Sequence, residues 1–214
     1  MYDLAHTLHL NLLVFDYRGY GHSNGYPSRS ILTRDAQLCY NHLMNTGHSP
    51  NDIIIWGESL GGHPALYVAS KNPCYALILF STFSNLTDLI GETFSSGQDT
   101  FFNKICSFIL PNLISDILNC ELIPLVTVPT VIIHSKEDNL VPMSCAQKLY
   151  KLIGHEDKKL LTIRGQHAIP KLRARHIREL CDFIKIPIPK IRNSHIKPIL
   201  KEIKTMVKSQ FTPS

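Results

Sequence analysis

No hydrophobic stretch in this sequence reads as a membrane span, because Asp, Lys or Pro interrupts each one well short of about 20 residues. Its 11 Gly and 13 Pro follow no period, which excludes collagen-like and low-complexity classes. The six cysteines (Cys39, Cys74, Cys106, Cys120, Cys145 and Cys181) contain no C-x-x-C pair. Met1-Tyr-Asp carries neither the basic nor the apolar region of a secretory leader. Free thiols in a reducing, cytoplasmic setting are therefore expected. Eleven histidines are present, yet no H-E-x-x-H or comparable cluster. His6 and His9 are the closest pair, too few ligands for a metal site, so no metal is expected.

What is present is globular. A chain of 214 residues with 44% hydrophobic and 18% charged content fits one domain. That size buries roughly 70% of the unfolded chain's surface, enough for a real core. The net charge of +5 collects in residues 186–214, where Lys190, Arg192, Lys197, Lys201, Lys204 and Lys208 face only Glu202. Residues 1–185 sum to zero. A nucleic-acid-binding domain carries its charge on the folded body, so no nucleic-acid partner is expected.

Short apolar runs alternate with helical periodicity. Leu4 to Leu10 suits the last turns of a helix, and Leu12-Leu-Val-Phe15 a strand buried on both faces. A turn-rich loop from Asp16 to Pro27 follows, and then a helix from Ser30 to Asn45. Further strands are expected at Asp52–Trp56, Ala76–Phe80, Thr130–His134 and Lys159–Ile163. Helices are expected from the turn at Gly57–Gly61 to about Lys71, from Ser144 to Ile153 and from Lys171 to Lys185. This alternation predicts an α/β fold with a mostly parallel sheet. One segment breaks the rhythm: residues 81–129, rich in Phe and Leu, are far longer than a crossover needs and suit a lid or binding element, or helices packed on the sheet.

Gly57-Glu-Ser59-Leu-Gly61 stands between an apolar strand and a helix. A sharp strand-to-helix turn leaves no room for side chains at the two glycines. It lifts the Ser hydroxyl clear of the sheet and aims neighbouring N–H groups at a reacting oxygen. A Ser nucleophile needs a base to take its proton and an acid to orient that base. In this architecture both partners follow later strands. His134-Ser-Lys-Glu-Asp138 follows one, and Arg164-Gly-Gln-His167 the next. The order Ser59, Asp138, His167 is the one expected for such an enzyme. Glu137 competes for the acid position, and a turn-capping role competes for Asp138. His134, at a strand end, reads as structural. His63 stands just inside the elbow helix with no role assigned. Asp16 and Arg18 read as a pair bracing their loop.

Several segments together resemble the α/β-hydrolase family of serine hydrolases, in the abhydrolase-domain branch that includes membrane-associated protein depalmitoylases. They are Asp16-Tyr-Arg-Gly-Tyr-Gly-His-Ser-Asn-Gly-Tyr-Pro-Ser28, Gly57 to Gly62, His134 to Pro142 and Gly165-Gln-His167. The resemblance runs from about residue 4 to 185. It implies Ser59 as nucleophile, His167 as general base, Asp138 as orienting acid, Leu60 as one oxyanion N–H donor, and no cofactor. The family pattern puts the acid four residues before Pro142, which selects Asp138 over Glu137.

The resemblance also implies strands and a His-Gly loop ahead of the first helix, neither of which is in this sequence. One of those strands belongs between Leu12–Phe15 and Asp52–Trp56 in the order 1-2-4-3-5-6-7-8, and its loop supplies a second oxyanion donor. Losing such a donor costs about 2.7–4 kcal/mol of barrier. A fragment, a truncated scaffold and a rearranged sheet all fit, and the undegraded run from 12 to 170 favours the fragment.

The expected organisation is an α/β-hydrolase domain over 1–185, with a helical cap over about 81–129, and a basic tail over 186–214. In the tail Ile196, Leu200, Ile203 and Val207 recur at helical spacing beside the lysines, as in a peripheral contact with an anionic membrane. A solvated terminus reads equally from the same residues. The expected function is hydrolysis of an ester or thioester with an acyl chain. The alternative is a catalytically silent scaffold that binds a partner or membrane.

Overall fold

A computed structural model describes residues 2–85, 117–167 and 169–187 of the chain. Five strands form one sheet in the order β1-β2-β3-β4-β5: Ile54–Glu58, Ala76–Phe80, Thr130–Ser135, Lys158–Gln166 and Ile169–Lys171. The first four run parallel, and β5 turns back antiparallel on β4. Helices α1 (Tyr2–Thr7), α2 (Arg29–Asn45), α3 (Gly62–Lys71), α4 (Asn119–Leu122), α5 (Met143–Leu152) and α6 (Ala174–Ile184) surround it.

The central strands form where the sequence is continuously apolar. Every residue of β2 and β3 is buried, as a parallel strand covered on both faces requires. Strand alternation divides the core in two. Leu77, Leu79 and Ile132 point to one face, against Ala65, Leu66 and Ala69 of α3 and Ala146 and Leu149 of α5. Ala76, Ile78, Phe80, Val131 and Ile133 point to the other, against Leu180 and Ile184 of α6. Leu4 and Leu8 extend that second layer over Ala174, Ile177 and Cys181. Helix α2 lies outside α3, where Tyr40 packs with Val68 and Ile53. Its start is fixed by Ser28, whose hydroxyl accepts the Ile31 N–H at 3.3 Å.

The Leu12–Phe15 segment corrects an expectation. It joins no ladder of the sheet, and its side chains face water, with Leu13 48% and Val14 72% exposed. Apolar composition makes a strand only where a neighbour takes up its N–H and C=O groups, and the described sheet ends at β1. The edge position also explains why β1 is only half-buried over Ile54 to Trp56. Two smaller shifts have local causes. Pro50–Asp52 forms a 3-10 turn capped by Ser49, so β1 starts two residues later than expected. Strand β4 runs on to Gln166 because Gly165, at φ +108, lets the chain fold back into the β5 hairpin.

Most of the 81–129 insertion and all of the tail beyond 187, including the Lys and Ile residues read as an amphipathic helix, lie outside the described residues. The roots of the insertion are described. Asn85 and Leu118 meet in an isolated antiparallel bridge, and Ser81 to Ser84 are buried. Cys39, Cys74, Cys120, Cys145 and Cys181 are free thiols, and Cys106 lies outside the described residues. Among the described residues no group of His, Cys, Asp or Glu could hold a metal ion, and no helix is long and apolar enough to cross a membrane.

Candidate active site

Strand β1 ends at Glu58, and Ser59–Gly61 forms a single 3-10 turn that opens α3. Ser59 sits at φ +51, in the left-handed region that costs a non-glycine residue about 1–3 kcal/mol. Its surroundings hold it there. The Thr82 hydroxyl donates to the Ser59 carbonyl, which also accepts the Gly62 N–H. A Cβ on Gly57 would stand 2.6 Å from both the Gly61 carbonyl oxygen and Ala65 Cβ, so the turn can close only over a glycine.

The second crowded glycine is not the one expected. A Cβ on Gly61 would meet nothing nearer than the Tyr17 hydroxyl at 3.9 Å, whereas on Gly62 it would stand 1.8 Å from Thr82 Oγ1 and 2.6 Å from Thr82 Cβ. Gly61 moreover has φ −63, which alanine adopts freely. Gly62→Ala is therefore expected to destabilise the protein by about 1–3 kcal/mol through overpacking. Gly61→Ala is expected to be neutral or to stabilise by about 0.4–1 kcal/mol. Thermal melts of the two variants check this, and equal losses would contradict the geometry.

The structure brings Ser59, His167 and Asp138 together. His167 Nε2 is 3.0 Å from Ser59 Oγ, and its Nδ1 is 2.8 Å from Asp138 Oδ2. An ionised carboxylate only accepts, so Nδ1 carries the proton and Nε2 presents a lone pair to the hydroxyl. The other carboxylate oxygen accepts two N–H bonds, from Leu140 at 2.9 Å and Val141 at 2.8 Å. The Asp138 side chain is wholly buried and that of His167 14% exposed. Burial pushes the Asp138 carboxyl up, but the hydrogen bond and charge of His167, with the Val141 and Leu140 N–H groups, outweigh it and hold the carboxyl below its usual range. The acid is thus kept ionised, and the arrangement can pass a proton from Ser59 Oγ to His167 Nε2.

The loops that carry His167 and Asp138 are tied to each other. The Ser135 hydroxyl donates to the Gly165 carbonyl. Glu137 Oε2 accepts the Gly165 N–H at 3.0 Å, and Asn139 Oδ1 accepts the His167 N–H at 3.3 Å. Glu137 therefore braces the histidine loop and leaves the imidazole to Asp138. Leu60 lies in the first turn after the nucleophile, where an N–H has no partner within its own helix. Its side chain packs with Tyr17, Tyr20 and Leu140 around Leu32, Phe83, Ile117 and Val141.

The Asp16–Arg18 pairing does not form. The Arg18 guanidinium binds Asp35 of α2 through Nε at 2.8 Å and Nη2 at 2.6 Å, while Asp16 accepts the His22 N–H at 3.1 Å. The loop is braced to the helix after it. His63 is wholly buried, and its ring joins α2 to the root of the insertion. Its Nδ1 is 2.9 Å from Asn119 Oδ1, Asn119 donates in turn to the Phe83 carbonyl, and Arg29 Nε reaches His63 Nε2 at 3.4 Å. Thr82 and Asn119 carried no signal in the sequence, because each acts through a partner more than 20 residues away.

Burial pushes His63, His134 and His176 below the ordinary imidazole value of 6.5. The unfolded chain then takes up protons near 6.5 that the folded chain still refuses. The stability these groups confer is complete above that pH and is lost as pH falls through the folded values. The depressed Asp138 carboxyl acts in the same direction at lower pH, below its ordinary 3.8. The melting temperature is expected to be level between about pH 7 and 8 and to fall steadily toward pH 5. A level profile down to pH 5 would contradict it.

A mostly parallel sheet between layers of helices, with a Ser after β1, an Asp after β3 and a His after β4, defines an α/β hydrolase. Residues 4–117, over half the chain, match the family described as serine aminopeptidase, S33, and the chain belongs to it. An uncharacterised protein of Acanthamoeba polyphaga mimivirus is 32% identical over 80% of this chain and 63% of its own length. Alpha/beta hydrolase domain-containing protein 17C of Xenopus tropicalis is 29% identical over 87% of this chain and 56% of its own length. The chain thus spans somewhat over half the length of the curated relatives it matches. Among solved structures, the monoacylglycerol lipase of Paleococcus ferrophilus shares the fold with a TM-score of 0.59 at 14% identity, over 86% of this chain and 88% of its own.

Proposed function

We propose that this chain is the catalytic portion of a serine hydrolase that cleaves a carboxylic ester or thioester with an apolar acyl part. Ser59 Oγ attacks the carbonyl carbon as His167 Nε2 takes its proton, and Asp138 steadies the imidazolium that forms. The Leu60 N–H donates to the oxyanion. Collapse of the tetrahedral adduct expels the alcohol or thiol, protonated by His167, and leaves an acyl-Ser59 ester. Water, deprotonated by His167, then releases the carboxylic acid. The observation that carries this reading is the continuous hydrogen-bond chain from Ser59 Oγ through His167 to the ionised, buried carboxylate of Asp138. The apolar patch of Leu60, Tyr17, Tyr20 and Leu140 supports the choice of an acyl substrate.

The test is labelling by a fluorophosphonate, which reacts with activated serines. Labelling of the folded chain that disappears in Ser59→Ala is the expected result. A folded chain that takes up no label is a silent scaffold.

A further inference from the structure

His134, in the sequence a strand-end residue with a structural reading, stands directly behind the acid. It is wholly buried, and its Nε2 is 2.8 Å from the Val141 carbonyl oxygen and 3.8 Å from Asp138 Oδ2. A carbonyl only accepts, so Nε2 must carry the proton. The ring is then neutral, with its N–H dipole directed at the acid loop and toward the carboxylate, and its Nδ1 presents a bare lone pair. Burial favours that neutral form, and the titratable groups facing the ring are Asp138 and His167.

The Nδ1 lone pair is buried with no partner among the described residues, and so is the hydroxyl of Ser81. These two groups belong together by register. Phe80 of β2 pairs with Ile133 of β3, and the Ser81 N–H continues the ladder to the Ile133 carbonyl at 2.9 Å, which sets Ser81 beside His134. Neighbouring strands lie about 4.8 Å apart, so a buried O–H and a buried lone pair there, not bonded to each other, are within reach across one water. Ser81 is held at φ +46, an unfavourable conformation for serine that persists beside this site.

We propose that His134, backed by Ser81, is a positioning residue for Asp138. Its Nε2–H pins the Val141 carbonyl, Val141 and Leu140 in turn hold one carboxylate oxygen, and the other oxygen is left aimed at His167. Ser81 supports the tautomer through one water that takes its hydroxyl proton and donates to Nδ1. The inference rests on the Ser59–His167–Asp138 reading for its effect on turnover, but the hydrogen bond it supports can be observed without turnover.

The experiment compares the full chain with His134→Leu, His134→Gln and Ser81→Ala, each first checked for folding by circular dichroism. Leucine removes the donor, whereas a glutamine amide can still reach the Val141 carbonyl. In His134→Leu, kcat on a nitrophenyl ester is expected to fall about 10- to 100-fold with KM within about twofold, the scale of a slightly misplaced catalytic group. The downfield proton signal of the His167–Asp138 hydrogen bond is expected to vanish or broaden. Glutamine restores both, and Ser81→Ala shifts both in the same sense by a smaller factor. A folded leucine variant that keeps its rate and signal overturns the proposal. If leucine prevents folding, a glutamine variant that folds but has lost the signal overturns it as well. If the unaltered chain shows no turnover and no label, the hydrolase reading fails, and the proton signal in the variants still decides the role of His134.

Discussion

Ser59→Ala and His167→Ala are each expected to lower kcat on an activated ester by about 10⁶-fold, and the double variant to fall no further. The non-additivity follows from the geometry. His167 Nε2 has one hydroxyl to serve, 3.0 Å away, and Ser59 Oγ has one base to accept its proton. Remove either and the other has no partner in the reaction, so the second deletion removes nothing that still operates. On the proposed mechanism the remaining rate comes from the Leu60 N–H and from substrate contacts, which neither change touches. The measurement is kcat for the two single variants and the double, with KM followed separately. Losses that multiply in the double variant would mean the two residues act in independent steps, and a modest loss in Ser59→Ala would mean another nucleophile.

Much of this arrangement was legible in the sequence, because its parts are local. A strand covered on both faces must be apolar along its whole length, and β2 and β3 are. A nucleophile turn needs glycines at fixed offsets, and Gly57 fits that need to within an atom's radius. Asp138 and His167 stood out as candidates because each follows such a strand in a short loop. The failures share a cause: they depend on what lies beside a segment and not on what it contains. Leu12–Phe15 has the composition of a buried strand and no ladder partner among the described residues. Arg18 reaches past Asp16 to Asp35, 17 residues on, because only there does the carboxylate meet its guanidinium fork. The order of Gly61 and Gly62 in the turn was decided by Thr82, which arrives from the end of another strand. No periodicity encodes that approach.

Asp138→Asn is the second large effect expected, a fall in kcat of about 10⁴-fold with little change in KM. Its reason lies in how the carboxylate is already held. One oxygen accepts N–H bonds from both Leu140 and Val141, and an amide placed there must keep its carbonyl oxygen on those donors. Its NH₂ group then faces His167 Nδ1. Two donors cannot share that position, so the imidazole gives up the Nδ1 proton and carries it on Nε2 instead. In that tautomer the nitrogen next to Ser59 Oγ is a donor and cannot take the hydroxyl proton. Size and fold are unchanged and the nucleophile is present, yet the relay runs the wrong way. Glu137→Gln is the matched control. Its carboxylate braces the Gly165 N–H, which an amide oxygen can accept equally well, so its loss should stay within about tenfold. Measured side by side in kcat and in the rate of fluorophosphonate labelling, the pair separates the acid from its neighbour. Equal losses, or a larger loss at Glu137, would move the acid one residue toward the amino terminus and break the chain of contacts on which the mechanism depends.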